Sequence, residues 1–171
     1  MHKFLQTLRG RATVQTPGVT MALSTLLAAT LLLALAAGPV QAQTFPFTAL
    51  LTSGQEPPPN TNDSKAFGVT FVTFNTETGE LCFSISYDEF TLTSAETVAH
   101  FHAPAPPGVN AAVIIPLPPG SPKNGCVTPE LTEDLKRELF RGLWYVNIHT
   151  EKNMGGEIRG QLLPQVAPVF R

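Results

Sequence analysis

An antiparallel β-sandwich of Greek-key type, with one short helix, is the fold this sequence predicts for residues 43–171. Three observations point there. About eight short segments carry apolar residues or apolar/polar alternation at the two-residue period of a strand. Turn-forming stretches separate them, among them E-P-P-P-N at 56–60, P-A-P-P-G at 104–108 and a Pro/Gly-rich run at 118–124. One segment alone, 128–141, repeats leucine every fourth residue, as an amphipathic helix does. Short strands with turns between them bury their apolar faces by packing sheet on sheet.

The first 42 residues read as an export signal. Lys3, Arg9 and Arg11 make a basic start with no acidic residue, and an apolar run rich in Leu and Ala follows from Val19 to Ala37. Gly38 and Pro39 break it, and Val40-Gln41-Ala42 offers small residues where a signal peptidase reads. Cleavage is expected after Ala42, with Met1 and Met21 both open as the true start. The rival reading is an uncleaved anchor, because the run approaches the roughly 18 apolar residues that span a membrane. No cysteine follows the run at a lipoprotein position.

The strands follow in order. Residues 45–52 open the domain. Residues 66–75 alternate well, with Phe67, Val69, Phe71 and Thr73 on one side and Gly68, Thr70, Val72 and Phe74 on the other. The turn T-E-T-G at 76–79 leads into a returning strand at 80–87, whose Leu81, Phe83 and Ile85 share a face. Residues 90–92 and 97–103 follow as strands, then 111–117, which Pro116 confines to an edge. Thr128 is the expected N-cap of the helix, with Pro129 at its first position and Gly142 as its stop. Residues 143–150 and 156–163 complete the set.

Charge and cysteines narrow the function. The leader holds three of the 11 basic residues and none of the 13 acidic ones, which leaves the remaining 129 residues at a net charge of −5. No basic cluster is present to neutralise several phosphates, so nucleic acid is not an expected partner. Export favours oxidation, and two cysteines allow one pairing, Cys82 with Cys126. Closing that loop is worth about 4 kcal/mol on chain-entropy grounds. Free thiols, or thiolates serving as metal ligands, are the alternatives.

Three of the four histidines lie beyond the leader, and all three fall in two strand segments, A-H-F-H-A-P and Y-V-N-I-H-T. Strand alternation puts His100 and His102 on one face, opposite Phe101, and puts Tyr145, Asn147 and His149 on one face, opposite Val146 and Ile148. The same parity in the last strand groups Glu157, Arg159 and Gln161. Two readings compete. In one, His100, His102 and His149 hold a single Cu or Zn ion with a fourth position open. In the other, the same polar residues form a hydrogen-bond network that locks strands together, with Glu157 pairing with Arg159 or orienting His149, and Asn147 satisfying backbone groups. No catalytic residue stands out otherwise: there is no nucleophile elbow, no paired carboxylates, and no phosphate or dinucleotide loop.

The motifs G-E-L-C-F-S-I (79–85), A-H-F-H-A-P-A (99–105), Gly108-Val109-Asn110, G-C-V (125–127), Y-V-N-I-H-T (145–150) and G-E-I-R-G-Q-L (156–162) together resemble the CHRD domain. That module was described in chordin and occurs in many exported bacterial proteins. The resemblance covers Phe47 to about Leu163. Ala103 stands where the family pattern has glycine after the histidine pair. The resemblance implies an extracytoplasmic β-sandwich with a Cys82–Cys126 bridge, and says little about chemistry. The H-x-H strand also looks locally like the copper-ligand strand of Cu,Zn superoxide dismutase, but the further ligands of a two-metal site are missing.

The expected function is therefore an exported binding module, secreted or periplasmic, built around one Cu or Zn ion. A metal-dependent redox or hydrolytic enzyme using the same site is the second reading. A structural or cell-surface interaction domain without metal is the third. The partner expected is an extracytoplasmic protein or small ligand, with no membrane attachment after signal cleavage.

Overall fold

The computed structural model describes residues 43–166, so the export-signal reading of residues 1–42 lies outside the described residues. The chain there is all-β and antiparallel with one short helix. Its strands are β1 (Thr44–Thr52), β2 (Phe67–Asn75), β3 (Leu81–Tyr87), β4 (Glu96–His102), β5 (Val113–Pro116), β6 (Lys123–Val127), β7 (Tyr145–Thr150), β8 (Ile158–Gln161) and β9 (Leu163–Pro164). The helix, α1, spans Glu133–Phe140.

The strands join in the order β5-β4-β7-β8-β1-β2-β3-β6, with β9 also on β1. The connections from β3 to β4, β5 to β6 and β6 to β7 each cross from one half of this sheet to the other. The halves meet where Thr52 of β1 pairs with Arg159 of β8. Gly160 permits that approach, because a Cβ there would run into the Leu50 carbonyl. The sheet curls so that its halves face each other, sandwich-fashion. Phe83 of β3 and Phe101 of β4 are five strands apart in the order, yet their rings lie 6.0 Å apart edge to face.

The apolar faces fill the space between. Phe47, Leu51, Val72, Phe74, Leu81, Ile85, Phe101, Val146 and Ile148 form one buried cluster. In β2 the inward face is Gly68, Thr70, Val72 and Phe74, and Phe67 and Phe71 point outward. One end is closed by α1, whose Leu139 is fully buried and whose Phe140 packs on Phe45, Phe47 and Phe74. Trp144 donates from Nε1 to the Leu135 carbonyl at 3.0 Å and fixes the helix to the start of β7.

Three local readings of the sequence differ from the structure. The helix begins at Glu133, not near Thr128. Thr132 caps it by accepting from the Leu135 N–H at 3.2 Å, with Glu133 and Asp134 in the first turn where the helix dipole favours acids. Residues 128–132 are used to carry the chain off the edge strand β6, so Leu131 reaches the core before the helix starts. Residues 90–92 are not a strand. Asp88 accepts from the Phe90 N–H at 3.0 Å and turns the chain into a single 3-10 turn, Glu89–Thr91, that leaves Phe90 exposed. Finally, 123–127 is a strand although K-N-G-C-V has no apolar alternation.

That strand, β6, is held by specific devices. Cys126 pairs in register with Cys82 of β3, and the two form the disulfide. Gly125 lies under the Phe83 ring, where a Cβ would approach to 3.1 Å. Lys123 is buried and reaches across to Glu96 of β4 at 2.6 Å. The bond ties the two halves of the sheet, and burial lowers the Lys123 ammonium against the pull of Glu96. The bridge fits an oxidising, extracytoplasmic compartment. Among the described residues no helix is long and apolar enough to cross a membrane.

Candidate metal centre

β4 and β7 are antiparallel neighbours, and their register decides what the histidines meet. Ala99 lies opposite Ile148, His100 opposite Asn147, Phe101 opposite Val146, His102 opposite Tyr145 and Val98 opposite His149. Alternation then sends Ala99, Phe101, Val146 and Ile148 into the apolar core. It sends His100, His102, Tyr145, Asn147 and His149 to the other face. β8 continues that face, with Arg159 opposite Asn147 and Gln161 opposite Tyr145.

The polar face is not a wet surface. His102, His149, Tyr145, Asn147, Arg159 and Gln161 are all buried. Loops cover them: Asn60 donates to the Gly155 carbonyl, and Arg159 reaches the Pro106 carbonyl and Asn110. β7 is consequently buried on both sides.

The three histidines converge. Their ring centroids are 5.2–5.9 Å apart, and one ring nitrogen from each lies within 4.8 Å of the others. Two rings are already oriented by backbone. His102 Nδ1 contacts the Ala111 carbonyl at 3.0 Å, and His149 Nδ1 contacts the Met154 carbonyl at 2.9 Å. A carbonyl only accepts, so Nδ1 carries the proton in both and Nε2 keeps its lone pair. Those two Nε2 atoms, and Nδ1 of His100, are buried without a hydrogen-bond partner. Burial lowers all three imidazoles, His102 to about 4, so that they stand neutral near pH 7, the form that binds metal.

Tyr145 supports His102 from behind. The two rings stack at 4.7 Å with planes 1° apart, and the Arg159 guanidinium covers the far face of Tyr145 at 3.4 Å. The Tyr145 hydroxyl accepts from the Ala111 N–H at 3.0 Å, and the same residue's carbonyl holds His102. Histidine ligands are commonly fixed by a bond at their second nitrogen in this way.

Glu157 is placed elsewhere. It pairs neither with Arg159 nor with His149, because it sits in the bend before β8, where strand parity no longer applies. Its carboxylate accepts from Ser64 at 2.6 Å, from the backbone and hydroxyl of Thr93 and from Thr150 at 2.7 Å each, and from Asn153 at 3.0 Å. Burial alone would raise it, but these bonds bring it down to about 2. Asn147 has an unpartnered, buried Oδ1.

Glu56 belongs to the site's surroundings and was read in the sequence only as part of a rigid turn. A glutamate ahead of three prolines has no strand parity to place it. In the structure it is 4% exposed, beside Asn147 and Gly156, with both carboxyl oxygens unpartnered. Burial pushes its carboxyl up to about 7, against the charge of Arg159 and the amide of Asn147. Gly156, at φ +128°, leaves room for this packing, since a side chain there would collide with Asn147 and Glu56. Among the described residues eight buried side-chain atoms lack a partner, and six are on Glu56, Asn147 and the three histidines. All six are able to accept, so what the region calls for is a cation or a donor. A second grouping, Glu80 with Cys82 and Cys126, has its sulfurs committed to the disulfide.

Fold and site together define a disulfide-bridged, all-β domain that encloses a polar layer with a converging histidine set. The chain belongs to the CHRD domain family, whose sequence model matches residues 47–162. Comparison with curated proteins and with solved structures finds no match. The family points to a binding module and does not name an ion.

Proposed function

We propose that this domain is an exported module that binds one copper or zinc ion through His100, His102 and His149, with a fourth coordination position left for a small ligand or a partner protein. One observation carries the reading: each of the three histidines has a buried ring nitrogen without a protein partner, and one ring nitrogen from each lies within 4.8 Å of the others. An orphaned buried polar atom is costly, and three together are rare unless a ligand satisfies them. Three imidazoles are a ligand set that suits both ions. The backbone bonds to His102 and His149 support it, because they set the tautomer that a metal requires.

The test is titration of the purified domain with Cu(II) and Zn(II), with metal content measured after gel filtration. One equivalent of ion, bound more tightly than about 1 µM, is expected for the wild type. His100→Ala and His149→Ala are expected to lose it. Binding weaker than about micromolar, or binding indifferent to both substitutions, sinks the proposal.

A further inference from the structure

A cleft of about 410 Å³ opens beside the histidine face, between the segment Gly54–Pro58 and Pro107–Gly108. Arg159 and Gln161 line it, as does Glu56. Pro57 and Pro107 give it apolar walls. The volume suits a small organic molecule.

Its charged groups are incompletely matched. Arg159 is 1% exposed, and among the described residues it forms no ion pair. Its hydrogen bonds go to neutral oxygens at the outer limit of length, Gln161 Oε1 at 3.4 Å, and Pro106 O and Asn110 Oδ1 at 3.5 Å. The Tyr145 ring packs on it, and the Glu56 carboxyl acts on it by charge without forming an ion pair. A buried guanidinium of this kind ordinarily holds a carboxylate through two parallel bonds. Glu56, in the same cleft, has the complementary shortage: neither buried oxygen has a partner at hydrogen-bond geometry, and the Asn147 amide is the donor that stands beside it. The two residues do not pair with each other.

We propose that this cleft binds a small α-hydroxy or α-amino carboxylate, whose carboxylate lies on Arg159 and whose hydroxyl or amine donates to Glu56. One ligand carrying an acceptor and a donor on adjacent carbons supplies what each residue lacks. A simple anion would leave Glu56 unsatisfied, and a simple cation would leave Arg159 so. Gln161 is not available as a recognition group, because its amide already donates to the Ala105 and Gly142 carbonyls at 2.8 Å each. It acts as a fixed wall.

The site does not depend on the metal centre, so the experiment uses metal-free protein. Mandelate is the probe, titrated by calorimetry and by NMR shifts, with mandelamide as the uncharged control and phenylacetate as the control without a hydroxyl. One-site saturation is expected, with a dissociation constant of about 1 mM or tighter. Mandelamide is expected to bind at least tenfold more weakly, and phenylacetate several-fold more weakly. Arg159→Lys removes the two-pronged contact and is expected to weaken mandelate at least tenfold. Gly54→Leu is the variant that keeps the idea testable if Arg159→Lys fails to fold. Gly54 lines the cleft and a Cβ there meets no atom within 4 Å, so a leucine is accommodated and is expected to occupy cleft volume. It is expected to abolish saturation while the unfolding midpoint stays put. Absence of saturation in the wild type overturns the proposal. So does equal binding of mandelate and mandelamide, or undiminished binding in a folded Gly54→Leu. A negative metal titration leaves it standing, and a negative mandelate titration leaves the metal proposal standing.

Discussion

Glu157, in the bend before β8, and the histidine set on β4 and β7 both bury polar atoms in a domain of fewer than 130 described residues. They are treated in opposite ways. Around Glu157 the chain supplies every partner: Ser64 from one loop, Thr93 from another, Thr150 from β7 and Asn153 from the final turn. Around His100, His102 and His149 it supplies backbone acceptors for two Nδ1 atoms and then stops. A network made for folding completes itself, since each unfilled acceptor costs stability. A site made for a ligand leaves lone pairs open and aims them at one point. The network reading therefore fits Glu157, and the ligand reading proposed above concerns the histidines.

The sharpest way to break this contrast is to delete each centre in turn. Glu157→Ala leaves donors from four residues without their acceptor, of which Ser64 and Thr150 are buried, and is expected to lower stability by about 3 kcal/mol. His149→Ala removes one backbone bond and relieves an orphaned nitrogen, so the metal-free variant is expected to lose about 1 kcal/mol or less. Urea unfolding of the metal-free proteins measures both. Equal losses would show that the histidines also serve the fold.

Acid separates the two next. The folded Glu157 carboxylate keeps its charge down to about pH 2, whereas the unfolded one takes up a proton near its ordinary value of 4.5. The unfolded state thus binds the proton first as pH falls. Glu157's contribution is complete above pH 4.5 and is lost as the pH falls toward 2, with a total of roughly 3 kcal/mol. Unfolding free energies at pH 6 and pH 3 are expected to differ less in Glu157→Gln than in the wild type. A slope unchanged by that substitution would assign the acid sensitivity to other carboxylates.

Metal addition acts on the other side of the contrast. An ion at a hundredfold excess over its dissociation constant stabilises the folded state by about 2.7 kcal/mol. The gain is expected in the wild type and in Glu157→Gln, and is expected to vanish in His149→Ala. Thermal unfolding with and without Zn(II) reads it directly. A gain that survives in His149→Ala would place the ion elsewhere.

The same contrast explains what was legible in the sequence. Period-two alternation located β3, β4 and β7, because their inward faces are apolar and their outward faces are largely polar, whereas β2 reads as a strand with Phe67, Val69 and Phe71 on its outward face. It put His100, His102, Asn147 and His149 on compatible faces, and the pairing of β4 with β7 is what brings them together. Strand order is a long-range property that no local pattern carries. β6 escaped notice because its place is fixed by a disulfide, a glycine under Phe83 and a buried Lys123, not by apolar period. The helix start moved from Thr128 to Thr132 because both offer the same cap chemistry, and the exit from β6 decides between them. Glu157 was assigned by parity to a face it leaves at the bend. Glu56 follows β1 into a proline run, where no periodicity places a side chain, so the covering loop that buries it was invisible.

Tyr145 joins the two kinds of polar group, and its hydroxyl gives the smallest and most discriminating test. The hydroxyl accepts from the Ala111 N–H, and the Ala111 carbonyl orients His102. Tyr145→Phe keeps the ring stacked on His102 but leaves that N–H unpaired, which is expected to cost about 1 kcal/mol. If the hydroxyl merely serves the fold, metal affinity stays where it was. If it fixes the peptide that aims His102, affinity falls about tenfold, the range seen when groups behind metal ligands are removed. Unfolding and metal titration of this one variant give the two numbers separately. A change in affinity out of proportion to the change in stability is the expected result, because the Ala111 peptide is needed to hold one ring at one angle and hardly at all to hold β4 against β7, which six paired positions already secure.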